Sequence, residues 1–405
     1  MGKKETNFKQ TDIGLIPHDW EVISLDQIGD VKMCKRIFKS QTKETGEIPF
    51  YKIGTFGETP DAFISRSIFE KYKAKYSYPT FGVILLSAAG TIGRRVKYKG
   101  EDAYYQDSNI IWLSHIEDKV LNDYLYYAYA RVNWTTEKGA AISRLYNKLF
   151  LSAKIPQPPI EEQKRIAEVL SHFDEHIDNL VALLEKRKQV KAATMQALLS
   201  GTTRLPGFTA PWQEKSLSEL FSFVRGNGLS KSAVGDKGEY PCILYGQLFT
   251  TYKENIQSVV SYTDIEEGVL SKKGDVLMPA STTTSGEDLA TASALQYDGV
   301  RLGGDIIVLR PKQVIDSLFT AYIIRLLKDE ITALAQGITI VHISGKRMLN
   351  LEVMIPISVE EQSAIVAILS NMDRGIEALE QEIKKYRQMK EGAMEELLTG
   401  KVRLI

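Results

Sequence analysis

The chain has 405 residues, 43% apolar and 25% charged, which excludes a disordered or collagen-like chain and is too long for one ordinary core. No apolar run approaches the roughly 18 residues of a membrane helix, and two cysteines, Cys34 and Cys242, exclude a disulfide framework and suit a reducing cytoplasm. With 51 basic residues against 51 acidic ones, a uniformly basic anion binder is excluded as well.

From the N-terminus, "MGKKET" fits an acylation pattern too loose to carry an anchor without a second signal. Residues 1–154 are then the one clearly basic block, with 23 Lys+Arg against 18 Asp+Glu. Its basic residues concentrate at Lys32, Lys35, Arg36, Lys39 and Lys43, and at Arg94, Arg95, Lys97 and Lys99. The apolar runs "GVILLS" (82–87) and "NIIWL" (109–113) read as strands of a mixed sheet under helical cover. A helix-like stretch, "LNDYLYYAYARVNWTTEK", ends near Gly139, a candidate C-cap.

A proline turn then leads into a long helix, "IEEQKRIAEVLSHFDEHIDNLVALLEKRKQVKAATMQALLSGTTRL" (160–205). Ile166, Leu170, Phe173, Ile177, Leu180 and Leu184 alternate steps of four and three, a heptad seam that seeks a partner helix. Inside it, "HFDEH" (172–176) has the spacing of a zinc-peptidase ligand pair, His172 and His176 with Glu175 as base.

The chain is then written a second time. Trp20, Leu25, Pro49 and Gly54 recur as Trp212, Leu217, Pro241 and Gly246, and "GDVLMP" and "DIIVLRP" repeat the two strands. "DSLFTAYIIRLLKDEITALA" repeats the helical stretch before Gly337, a second candidate cap. "VEEQSAIVAILSNMDRGIEALEQEIKKYRQMKEGAMEELLTGKVRL" (359–404) matches the long helix without a gap, its seam running Ile365, Leu369, Met372, Ile376, Leu379, Ile383. The copy replaces His172, Glu175 and His176 with Asn371, Arg374 and Gly375, so the metal pattern reads as helix surface.

The expected fold is α/β (α+β) globular domains joined by long helices, in two tandem repeats, each a globular domain plus a helix. The helices pair as an antiparallel coiled coil with the globular domains at opposite ends. The expected boundaries are 1–155 and 204–355 for the globular domains, and 156–203 and 356–405 for the helical segments. A catalytic reading lacks a motif: there is no phosphate-binding loop, nucleophile elbow, Cys-x-x-Cys or amino-methyltransferase motif.

The proline turn followed by "EEQKRIAEVLS" and "EEQSAIVAILS", twice, each after a globular domain, resembles the DNA specificity subunit of type I restriction–modification systems. The tryptophan strand openings and "GVILLSAAGTIG" are also similar to that family, and the resemblance covers the whole chain. "MPASTTTSGED" departs from it where a Gly-Thr-Ile-Gly turn is expected. The resemblance implies two domains that each read half of a split double-stranded DNA target, and a coiled coil that sets the spacer. It implies two modification subunits that methylate adenine N6 with S-adenosylmethionine, and two restriction subunits using ATP and Mg. The chain itself would be non-catalytic, without a cofactor, metal or membrane contact. The competing reading is a coiled-coil adaptor whose globular ends bind proteins.

DNA-reading residues are expected where the copies differ, at 33–47, 87–107, 225–239 and 279–304. In the first domain Lys35, Arg36, Lys39, Arg94 and Arg95 suit phosphates, and Ser87, Thr91 and Gln106 suit base edges. In the second the candidates are Arg225, Lys231, Thr282, Thr283, Thr284 and Arg301, while Tyr104 and Tyr105 read as core. Lys188, Lys191, Arg387 and Lys390 are the candidate contacts to the modification subunits.

Overall fold

The computed structural model describes residues 7–134, 144–337 and 339–405. The opening hexapeptide and Gly139 lie outside the described residues. Two compact units emerge, residues 1–181 with 382–405, and residues 182–381. The divisions fall inside two helices of 40 residues, Ile160–Leu199 and Val359–Leu398. Each unit therefore holds one globular domain, the start of one long helix and the end of the other. Among the described residues no helix is long and apolar enough to cross a membrane.

The first unit is built on an antiparallel sheet ordered Gly29–Lys32, Ile110–His115, Ile84–Ser87, Arg95–Lys97. The two apolar runs form its centre, and Ile84–Ser87 is buried throughout because both faces are covered. The period of two sorts the side chains into two cores. Ile84, Leu86, Ile111 and Leu113 pack with the helices Asn122–Ala128 and Asn147–Leu151 and with Ile166 and Leu170. Leu85, Ile110 and Trp112 pack on the other side with the helix Arg66–Lys75 and a sheet of Phe63–Ile64, Ile48–Tyr51 and Tyr104–Tyr105. Tyr104 and Tyr105 are core, as expected.

The second unit repeats the plan with a five-stranded sheet, Phe221–Arg225, Ile306–Pro311, Asp275–Pro279, Ser293–Leu295, Asn255–Ile256. A four-stranded sheet lies beside it, ordered Ser261–Thr263, Tyr240–Ile243, Arg301–Leu302, Val269–Leu270. Val276 and Met278 face the core that holds Leu198, Leu199, Ile365 and Leu369, and Leu277 faces Ile243 and Leu302. Even the register repeats: Ile110 and Ile111 pair with Ser87 and Leu86, as Ile306 and Ile307 pair with Pro279 and Met278. The tandem α/β organisation is the expected one.

The heptad positions are buried, except that Phe173 and Met372 are half-buried. Part of the stripe serves another purpose: Ile166, Leu170, Ile365 and Leu369 belong to domain cores. In the first unit the helices run antiparallel, with Arg165 donating to the Leu404 carbonyl (3.0 Å) and His176 packed on Tyr386. In the second unit Lys188 faces Glu380 and Lys191 faces Asp373 in the same sense.

Each long helix stops at a left-handed glycine, Gly201 (φ 71°) or Gly400 (φ 69°). A Cβ on Gly400 would stand 2.3 Å from Pro17 Cγ, so the site also needs glycine for space. The shorter helical stretches differ from expectation. The first gives only Asn122–Ala128 before residue 135, and the second breaks at Leu327 into Ser317–Leu326 and Lys328–Leu334. Gly337 is not a cap, because the helix closes on Ala335 in extended conformation.

Candidate nucleic-acid interface

In the first unit the divergent loops converge around the open end of the central strands. Residues 33–41 reach the loop before Ile110, where Arg36 Nε donates to Asp107 Oδ2 (2.8 Å) and Tyr104 Oη accepts from the Lys35 amide (3.1 Å). The loop after Tyr51 joins them, with Gln106 Oε1 accepting from the Ile53 amide (2.9 Å). Arg94 closes the other side, donating to the Phe56 carbonyl (2.8 Å) and Glu58 (3.0 Å), and Arg144 donates to the Ser108 carbonyl (3.0 Å). Lys35, Lys39 and Thr91 are exposed on this face, and Arg36 is 61% exposed.

Three candidates have other duties. Ser87 is buried, and its hydroxyl donates to the Thr91 carbonyl (2.5 Å) and accepts from the Arg94 amide (2.8 Å), which closes the turn between them. Gln106 is half-buried with its carbonyl spent on Ile53. Arg95 leaves the face because successive strand residues point to opposite sides. Its guanidinium lies over the Tyr126 ring (5.0 Å), in a cleft shared with Lys97, Lys99 and Lys164.

The second unit gathers the corresponding loops. Arg225 Nη2 donates to Asp305 Oδ1 (2.9 Å), and the other oxygen of Asp305 accepts from Ser281 (3.3 Å). Thr282, Thr283 and Thr284 line a cleft of about 700 Å³ together with Tyr245, Phe249 and His342. Thr283 and Thr284 are exposed, and the Thr284 hydroxyl on Asp288 holds that carboxyl below the usual range. Thr282 is buried, so it supports the loop rather than facing outward. Lys231 is exposed.

Arg301 corrects an expectation. It sits on an interior strand of the four-stranded sheet, 8% exposed, stacked 3.9 Å over the Tyr240 ring and donating to the Ile265 carbonyl. Desolvated and already paired, it is unavailable to a phosphate.

Both domains are joined to their helices by the same polar cluster. The Glu162 carboxylate accepts from the Trp20 indole (2.9 Å) and from Arg403 Nε and Nη2 (2.8 Å each). Glu361 accepts from Trp212 (3.2 Å) and from Arg204 Nε and Nη2 (2.8 and 2.9 Å). The neighbouring glutamine pins the loop at the domain edge: Gln163 accepts from the Leu121 amide and Gln362 from the Asp316 amide, both at 2.9 Å.

Farther along, Tyr127 donates to Asp174 (2.8 Å) and Tyr322 to Asp373 (2.6 Å), and burial with these bonds pushes both phenols up. Lys390 and Lys191 complete these clusters on Asp174 and Asp373. Expected as outward contacts, the two lysines turn inward instead, 19% and 16% exposed, each paired with a half-buried carboxylate. Lys188 is 45% exposed beside Glu185 and Glu380, and Arg387 is exposed.

Among the described residues no group of three His, Cys, Asp or Glu side chains could hold a metal. Sequence reasoning missed Asp107, Asp305, Tyr245, Phe249 and Arg144. The aspartates carry no shared signal, because the two do not fall on matching positions of the repeat.

The sequence profile described as the type I restriction modification DNA specificity domain matches residues 17–190 and again 210–386. A putative type I restriction enzyme specificity subunit of Haemophilus influenzae is 53% identical over 154 residues, 38% of this chain and 40% of that one. The putative MjaX specificity subunit of Methanocaldococcus jannaschii is 26% identical over 434 aligned residues, covering 99% and 98% of the two chains. In fold, the chain is similar to the crystal structure of a type I restriction-modification S subunit from M. genitalium. That likeness has TM-score 0.58 at 17% identity over 94% of this chain and 96% of that one. A second structure, of a type I system described for complex assembly and conformational transition, gives TM-score 0.57 at 15% identity over 96% and 99%.

Proposed function

The chain belongs to the family of type I restriction–modification DNA specificity subunits, with two specificity domains in tandem, and from that premise we propose that each domain reads one half of a split duplex target. One observation carries the reading. The sheet register is the same in both domains, while the loops that converge at its open end differ in residues and in length. A constant frame with two different loop sets suits two different words on one DNA. Lys35, Arg36, Lys39 and Thr91 would meet DNA from the first domain, and Arg225, Lys231, Thr283 and Thr284 from the second, with Arg94 tied to Phe56 and Glu58.

The repeated helices offer two like surfaces, which suits two identical modification subunits. Those partners would supply S-adenosylmethionine and transfer its methyl group to adenine N6; restriction subunits would bring ATP and Mg. This chain contributes binding, register and spacing, and no catalytic step. Lys188 and Arg387 remain outward-facing candidates for the docking surface, and the antiparallel helices would set the spacer.

The test is reconstitution. The chain mixed with a cognate modification subunit and S-adenosylmethionine should methylate adenines in a bipartite sequence, and the chain alone should methylate nothing. A complex that forms but binds no duplex DNA would favour an adaptor role instead.

A further inference from the structure

Each domain holds an arginine–aspartate pair beside two paired strands of its sheet. Arg36 follows the strand Gly29–Lys32, and Asp107 precedes the strand Ile110–His115 that pairs with it. Arg225 ends the strand Phe221–Arg225, and Asp305 precedes its partner Ile306–Pro311. The pairs are not copies. In the strand registers Val31 opposes Leu113 as Phe223 opposes Leu309, so the counterpart of Arg225 is Met33, three residues before Arg36. By the loop contacts, Asp305 corresponds to Asn109, since their carbonyls accept from the matching amides of Ala280 and Ala88. Different residues thus give each domain a similar pair.

Stability does not account for it. The arginines are 61% and 63% exposed, and exposed ion pairs add little. Phosphate binding does not account for it either, because a carboxylate at the guanidinium cancels the charge and repels a phosphate. What the arrangement does is aim. Arg36 is held through Nε alone, Arg225 through one Nη, and neither guanidinium makes another hydrogen bond among the described residues. The remaining N–H groups form a donor fork that one hydrogen bond orients. A guanine edge offers two acceptors, O6 and N7, matched to such a fork, and cytosine N4 can donate to a nearby carboxylate oxygen.

The geometry points to Arg36 and Arg225 as guanine readers, one per half-site, with Asp107 and Asp305 as the residues that position them. This rests on the DNA-reading function proposed above and names the base that two of its residues select.

The experiment maps methylated adenines in cells that carry the chain with its modification subunits. The wild type should give two half-words, each with a G·C pair within reach of its domain. Arg36→Ala should relax one such position, with discrimination falling roughly tenfold or more, and leave the other half-word intact. Arg225→Ala should do the reverse. Asp107→Asn should relax the same position as Arg36→Ala, which loss of a phosphate contact would not do. If Arg36→Ala abolishes all methylation, Arg36→Lys, which keeps the charge but loses the fork, should still relax that one position. Unchanged words in the arginine variants, Arg36→Lys included, would overturn the inference while leaving the DNA-reading function standing, as would a partial loss spread evenly over all sites with both words kept. A wild-type chain that directs no bipartite methylation would overturn both.

Discussion

Replacing Glu162 with alanine tests how the first domain is held to its helix. Glu162 is 2% exposed and its two oxygens accept four bonds: two from Arg403, one from the Trp20 indole and one from the Leu404 amide at 3.2 Å. The variant leaves the indole N–H of fully buried Trp20 without an acceptor, and Arg403, 10% exposed, without its inner partner. Removing one member of a buried pair costs roughly 3–5 kcal/mol. Asp19 still grips Arg403 through two bonds of 2.8 and 2.7 Å, so the lower end applies, about 3 kcal/mol. For a unit of 205 residues (181 + 24) each kcal/mol shifts the melting point by about 2–4 °C, giving a loss of about 6–12 °C. Glu162→Gln, which keeps an acceptor for the indole, should lose about half as much. Calorimetry of the chain at neutral pH reads both values. A shift below about 2 °C for Glu162→Ala would refute the reasoning, since so small a change means the cluster is solvated.

The second unit should be acid-sensitive through Glu254. Burial pushes this carboxyl up, but Arg325 and Lys191 outweigh it, so its folded value lies below the ordinary 4.5. A depressed folded value means the unfolded chain takes up the proton first, so the contribution is complete above about pH 4.5 and is lost as pH falls below it. Melting points from pH 6 down to 3 should therefore fall less steeply for Glu254→Gln than for the wild type, and parallel curves would count against the assignment. The spacing role gives another test. Four residues inserted in each long helix where the units divide, after Val181 and after Gln381, add about 6 Å of helix. Methylation should move to the same half-words with a spacer longer by one or two base pairs, about 3.4 Å each; an unchanged spacer in an active complex would refute the ruler. Residues 196–199 are unsuitable for insertion because Leu198 and Leu199 belong to the core of the second unit.

The frame was legible because it is written twice. Trp20 and Trp212, Glu162 and Glu361, and Asp174 and Asp373 align, and the members of each pair make equivalent hydrogen bonds in their own units. The strands were legible as apolar runs, with their central positions covered on both faces. The candidate DNA-binding face was legible only as four divergent loops. Which side chains turn outward depends on neighbours far away in sequence: Tyr240 captures Arg301, Asp373 captures Lys191, and Tyr126 captures Arg95. The period of two could have separated Arg94 from Arg95, but not the burial of Ser87, which follows from a turn closed by its own hydroxyl. Asp107 and Asp305 could not be found by alignment, because the pairing reappears at positions that do not correspond.

The central claim is that each globular domain independently reads one half of the target. Exchanging residues 206–354 for the matching segment of a relative with a different target, then mapping methylated adenines across the genome, tests it most directly. The account predicts a hybrid word: the half read by the first domain unchanged, the other half replaced by the donor's, at the original spacing. An active complex in which both half-words change, or neither does, would contradict it.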